Sequence, residues 1–153
     1  MTTAVDEESR AEIAGALSRL LADTYTLYLK TQGDHWNVTG PMFPGLHAMF
    51  ETQYIELRDA VDLIAERIRA LGHPAPAGFT AYGKLSSIAE GEAGLEALDM
   101  VRDLAAGHET AAQTARDVVA GAEKADDIAT ADLATTRVEV HEKTAWMLRA
   151  TAA

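Results

Sequence analysis

The chain has no cysteine. That absence excludes disulfides, thiolate metal sites and cysteine nucleophiles together. Proline is scarce, with 4 in 153 residues, and β-branched runs are few while alanine is abundant. Helix is therefore the expectation along the whole chain. No apolar run approaches membrane-spanning length, and the opening MTTAVDEESR lacks the basic start and apolar run of a secretory signal. A cytoplasmic location with no membrane partner is the expectation. Positive charge is also in short supply: 13 Lys and Arg stand against 24 Asp and Glu, for a formal net charge of −11. Nonspecific attraction to nucleic acid relies on Lys and Arg neutralising phosphate, so this balance opposes it and suits a protein that handles cations. Gly-rich phosphate loops and nucleophilic-serine motifs are missing too.

What is present is an all-α pattern. Hydrophobic residues make up 48% of the chain, and its length fits one domain, 1–153, able to bury a core. From about Glu7 to Thr31, Ile13, Leu17, Leu20, Leu21, Thr24, Leu27 and Tyr28 fall at amphipathic helical spacing. A bend over Gly33–Gly45, with Pro41 and Pro44, separates this helix from the next. In the second helix Phe50, Tyr54, Leu57, Val61, Ile64, Ile68 and Leu71 alternate steps of four and three, a seam that packs against neighbours. Gly72 and Pro74 stop it. Residues 72–91 form a long connection with one helical turn expected around Lys84–Ala89. A third helix follows from about Glu92 to Ala122 and a fourth from about Thr130 to Ala150. Four long helices with one long crossover, carrying a short helix, suggest a ferritin-like four-helix bundle.

The chemistry gathers on the stretch DHWNVTGPMFPGLHAMFE, residues 34–51, and on the helix it opens. His47 and Glu51 are i,i+4 neighbours, as are Asp62 and Glu66. The four lie within an arc of roughly 100° on one helix face, Glu51 and Asp62 about 20° apart. Imidazoles and carboxylates on one face can ligate iron, zinc or manganese. They can equally be a solvated face with Arg67 and Arg69 as partners, and spacing alone does not choose. His47 and Asp62 lie fifteen residues apart, about 22 Å along the axis at ~1.5 Å per residue, too far for one metal. Two copies of the helix packed antiparallel about a two-fold axis near residues 56–57 remove the obstacle. His47 then meets Glu66 and Glu51 meets Asp62, with two equivalent sites per dimer. His35, at the end of the first helix, can close each one. Other candidates are weaker: His108-Glu109 and His141-Glu142 start like HExxH but lack the second histidine, and His73 reads as a loop residue. No Glu-x-x-His occurs, so a metal site within a single bundle has no support.

The order of these residues resembles the Dps family, the mini-ferritins named as DNA-binding proteins from starved cells. The resemblance rests on Lys30-Thr31-x-x-x-His35-Trp36-Asn37-Val38-x-Gly40-x-x-Phe43-x-x-Leu46-His47, then Phe50-Glu51 and Asp62-x-Ile64-Ala65-Glu66-Arg67. It continues through Thr130-Ala131-Asp132-Leu133 and Glu142-Lys143-x-x-Trp146-Met147-Leu148, covering nearly the whole chain. It implies a hollow homo-dodecamer built from two-fold dimers. Such an assembly oxidises Fe(II), with hydrogen peroxide as the usual oxidant, and stores ferric mineral as a defence against oxidative stress. Carried over, His35, His47 and Glu51 come from one subunit and Asp62 and Glu66 from its partner. Glu51 stands where the family often has Asp. Trp36 beside the site, and with it Trp146, are implied electron donors or radical sinks, with interface packing the equal alternative. Asp126, Asp127 and Asp132 fall where the family lines a three-fold iron-entry pore with acids; Asp127 or Thr130 also reads as a helix N-cap. Zinc or manganese can compete for such ligands. The runner-up function is nucleoid compaction by DNA binding, with iron chemistry secondary. The family's DNA binding is attributed to Lys/Arg-rich tails, whereas here the first Lys is Lys30 and only Arg149 follows Trp146. Direct DNA binding is therefore not expected.

Overall fold

The four apolar stripes become the four long helices of the computed structural model, which describes residues 3–153. Met1 and Thr2, the first residues of the expected domain, lie outside the described residues. Helix α1 spans Glu7–Asn37, α2 Phe43–Ala70, a short α3 Phe79–Leu85, α4 Ala97–Lys124 and α5 Ile128–Thr151. Among the described residues there is no strand. The protein is the all-α bundle that the periodicity predicts. Helices α1 and α2 pair, α4 and α5 pair, and α1 also packs along α4, with α3 against α1. Tyr28 meets Tyr54 while His35 meets His47, so α1 and α2 run antiparallel. Lys30 bonds Asp103 while Asp23 bonds Thr114, so α1 and α4 are antiparallel too. Helices α2 and α4 must then run the same way. A 28-residue helix is about 42 Å long at ~1.5 Å per residue, so the connection between them has to cross the full height of the bundle.

Three boundaries differ from expectation, each for a local reason. Gly33 does not end α1, which continues to Asn37. A single helical Gly costs only about 1 kcal/mol against Ala, and the burial of Thr31 and His35 outweighs it. The helical turn expected at Lys84–Ala89 lies earlier, at Phe79–Leu85, started by Gly78 at φ 135°. Ser86 and Ser87 are held out of helix because Asp23 captures them. Its Oδ1 accepts the Ser87 amide at 2.6 Å and the Ser86 hydroxyl at 3.2 Å. Finally α4 begins at Ala97 and not near Glu92, after Gly94 takes φ 79°.

The core divides by height. One apolar cluster joins Leu17, Leu20 and Leu21 to Ile64, Ile68 and Val118. A second, at the opposite end, joins Leu46 and Phe50 to Val101, Leu104 and Leu148. Between them lies a smaller group with Leu27, Leu57 and Ala111. At this middle level the bundle also carries a polar layer contributed by α2, α4 and α5.

Candidate metal centre

His35 sits on the last turn of α1 and His47 on the first turns of α2, so the Val38–Met42 turn folds them onto each other. Their rings stack at 3.8 Å between centroids, only 12° from parallel. Each ring is fixed by the other's backbone: His35 Nδ1 donates to the His47 carbonyl at 2.7 Å, and His47 Nδ1 to the His35 carbonyl at 2.7 Å. A carbonyl can only accept, so both Nδ1 atoms carry hydrogen and both Nε2 atoms keep a lone pair in the neutral ring. A backbone carbonyl on Nδ1 fixes the orientation of each ring and leaves Nε2 as its acceptor atom. Phe43 stacks on the far side of His47 at 4.9 Å, and Tyr54 meets His35 edge-on at 5.2 Å. His35 is buried and His47 half-buried.

The carboxylates lie on the outer face of α2. Glu51, Asp62 and Glu66 are all exposed. Asp62 and Glu66 border a shallow depression with Arg58, Asp59 and Leu63. The arginines that offer themselves as partners in the sequence are engaged elsewhere. Arg67 reaches Asp127 at 2.8 Å and the Thr130 hydroxyl at 2.8 Å, while Arg69 donates to the His73 carbonyl at 3.1 Å. Among the described residues of one chain, no three His, Asp or Glu side chains converge where a metal ion could sit. The chain thus brings His35 to His47 but does not bring Asp62 or Glu66 to them.

At the α4–α5 turn the three aspartates differ. Asp127 is buried and caps α5, accepting the Thr130 amide at 3.1 Å as well as Arg67. Asp126, at φ 57°, and Asp132 are exposed. Trp36 and Trp146 both project outward, 65% and 66% exposed.

Sequence reasoning missed the polar layer inside the bundle. Arg137 of α5 donates to both carboxylate oxygens of Glu56 at 2.5 and 2.9 Å, and reaches His141 Nε2 at 3.4 Å. His141 Nε2 therefore accepts, and its Nδ1–H donates to His108 Nδ1 at 2.9 Å. His108 must then carry its proton on Nε2, which is buried without a partner. Burial pushes the His108 imidazole down to about 3 from 6.5, helped by the Arg137 charge. His141 is pushed down the same way, by burial first and then by His108 and Arg137. The signal was available: His108 follows Leu104 by four residues and precedes Ala111 by three, so it falls on the buried stripe of α4. Asp34, next to His35, is raised from 3.8 to about 6 by burial and by Asp103, with Lys30 opposing.

The comparisons with known proteins agree with this architecture. The ferritin family, described as a ferritin-like domain, matches residues 14–153. The chain is 37% identical over 145 residues to an uncharacterised low temperature-induced protein of Nostoc sp., covering 94% of this chain and 81% of that one. It is 37% identical over 141 residues to a DNA protection during starvation protein of Brevibacillus brevis, covering 90% and 93%. Its fold superposes on a Dps protein from Vibrio cholerae O1 with a TM-score of 0.94 at 31% identity, over 100% of this chain and 98% of that one. That protein is described as a member of a broad superfamily of ferritin-like diiron-carboxylate proteins.

Proposed function

Because the chain belongs to the Dps family of ferritin-like proteins, we propose that it is an iron-storage protein that oxidises Fe(II), with hydrogen peroxide as oxidant. On this reading residues 1–153 form one such domain and assemble in the cytoplasm as a hollow dodecamer of two-fold dimers. Each dimer holds two equivalent sites. His35, His47 and Glu51 come from one subunit and Asp62 and Glu66 from the other, since an antiparallel α2–α2 contact sets Glu66 opposite His47. The observation that carries the reading is the reciprocal lock of His35 and His47, which holds both rings by Nδ1 and offers their Nε2 atoms beside an otherwise unfinished site.

Carboxylates added by the partner bind Fe(II) and favour Fe(III) more strongly, because hard oxygen anions stabilise the higher charge. With so few protein ligands, coordination positions stay open for peroxide. Zinc or manganese, which accept the same donors, would compete. Exposed Asp126, on a turn that Asp127 anchors through Arg67, and exposed Asp132, on the first turns of α5, would draw cations to a three-fold entry. Leu63, exposed beside Asp62, and Trp36 beside His35 supply apolar surface for the two-fold contact. DNA compaction has no support in charge, since the chain carries a formal net charge of −11.

The test adds Fe(II) and then hydrogen peroxide anaerobically to wild type and to the His35→Ala/His47→Ala double variant. Wild type should consume peroxide as iron is oxidised, and the variant should slow to the rate of iron alone. Equal rates would sink the shared site.

A further inference from the structure

The chain has four tyrosines, and every one of them lies in a single row of rings that ends on the histidine pair. From His35 the row passes to Tyr54 of α2 at 5.2 Å, to Tyr28 of α1 at 6.1 Å, to Tyr25 of α1 at 5.7 Å and to Tyr82 of α3 at 4.8 Å. All four steps fall in the ~4.5–7 Å range of direct ring contact. The outer end is open: Tyr25 and Tyr82 line a cleft of about 790 Å³ between α1, α3 and the following connection. Phenylalanine would fill the same space, yet none stands in the row. Phe50 is in the core, Phe43 lies beyond His47, and Phe79 is exposed on the wall of the outer cleft. What distinguishes the row is its phenols, which are the oxidisable part of the ring.

We propose that Tyr54, Tyr28, Tyr25 and Tyr82 form a relay that carries an oxidising equivalent from the His35–His47 site to the cleft beside α3. The inference rests on the iron-oxidation reading. A peroxide needs two electrons and two protons to become two waters, and one ferrous ion supplies a single electron on becoming ferric. Tyr54 supplies the second electron together with its phenolic proton and becomes a neutral tyrosyl radical; solvent supplies the other proton. At each further step the next phenol gives one electron to the oxidised ring; the part-exposed ring it restores takes one proton from solvent and the newly oxidised phenol releases one to solvent, so no charge builds up inside the protein. At Tyr82 a second ferrous ion, in the cleft's solvent, gives one electron, and solvent gives one proton, restoring the phenol. The sum is two ferrous ions oxidised per peroxide reduced, with no radical left beside the histidine ligands.

The experiment mixes the assembled, Fe(II)-loaded protein with one equivalent of hydrogen peroxide in the presence of a radical-trapping nitroso compound. Iron oxidation is followed optically, tyrosyl radical by freeze-quenched electron paramagnetic resonance, and trap adducts by peptide mass spectrometry. Wild type should show a tyrosyl signal and adducts at Tyr82. Tyr28→Phe keeps the ring but breaks the row, so the Tyr82 adduct should fall several-fold while the Tyr54 adduct rises. Tyr82→Phe, at the outer end, should move the adduct to Tyr25. Wild type that oxidises iron without any tyrosyl radical overturns the relay alone, as does a Tyr82 adduct that persists in Tyr28→Phe. Wild type that oxidises no iron overturns the iron reading and the relay together.

Discussion

Single residues in this protein are set by what their neighbours leave them to bond with. His108 and His141 are 1% and 0% exposed and have no carboxylate of their own, since Arg137 takes Glu56. Both must stay neutral, and that makes stability depend on pH. His108 binds a proton only near pH 3 in the folded protein, against 6.5 for an ordinary histidine, so between these values the unfolded chain binds more protons. The stabilisation is therefore complete above about pH 6.5 and is lost as pH falls toward 3. At pH 5 the loss is about 2 kcal/mol, from ~1.4 kcal/mol for each pH unit below the unfolded value. His108→Asn should flatten this part of the profile. Urea midpoints at pH 7 and pH 5, at one protein concentration, check it; an unchanged slope in the variant would assign the acid sensitivity elsewhere.

The elements are positioned by a few polar anchors as much as by apolar seams. The long connection is pinned to the bundle by Asp23, together with the Lys30 bond to the Ala89 carbonyl and the buried Ile88. This fully buried carboxylate accepts Ser87, Ser86 and, through Oδ2, the Thr114 hydroxyl at 2.6 Å. One side chain thereby ties α1 to α4 and to the strap between α2 and α4. Asp23→Ala leaves the Ser87 amide without its acceptor and removes two further bonds, whose hydroxyls keep the Ile88 and Thr110 carbonyls, and should destabilise the protein by about 2 kcal/mol. Amide exchange should quicken first at Ser86–Ile88, near the break in the strap. A variant with wild-type exchange there would show that the strap is held by its other contacts alone. Close approach of α1 and α4 is secured by Gly107, where an added Cβ would come within 2.6 Å of a Leu27 methyl.

For the whole molecule the telling feature is that the histidine pair at the α1–α2 turn and the Asp62/Glu66 pair of α2 sit on the same chain but far apart along the bundle. If each site draws His35 and His47 from one subunit and Asp62 and Glu66 from the other, two inactive variants can rescue each other. A dimer of His35→Ala/His47→Ala with Asp62→Ala/Glu66→Ala contains one site stripped of both histidines and both partner acids, with only Glu51 left, and one site intact. Co-expressed in equal amounts, random pairing should restore about one quarter of wild-type iron oxidation, because half the dimers are mixed and each has one of its two sites. Zero recovery in mixed assemblies would mean that the ligands do not cross a subunit boundary.

Much of this was legible in one dimension. Helix periodicity in the Phe50–Leu71 seam is a local property repeated many times, so the four helices and the crossover could be read directly. The pairing of His47 with Glu51 and of Asp62 with Glu66 follows from helix pitch alone. The boundaries were less secure, because they depend on distant partners: Asp23 reaches across more than sixty residues to hold Ser86 and Ser87 out of helix. The same reason hid the His108–His141 layer, whose two members are 33 residues apart and meaningful only once α4 lies against α5. Only the tertiary structure decided which atoms of His35 and His47 carry hydrogen, since each is held by the other's backbone. It also decided that four tyrosines from three helices meet in one row. Sequence determines what each helix offers on its faces; the fold determines which faces meet, and contacts between faces are where the chemistry is set.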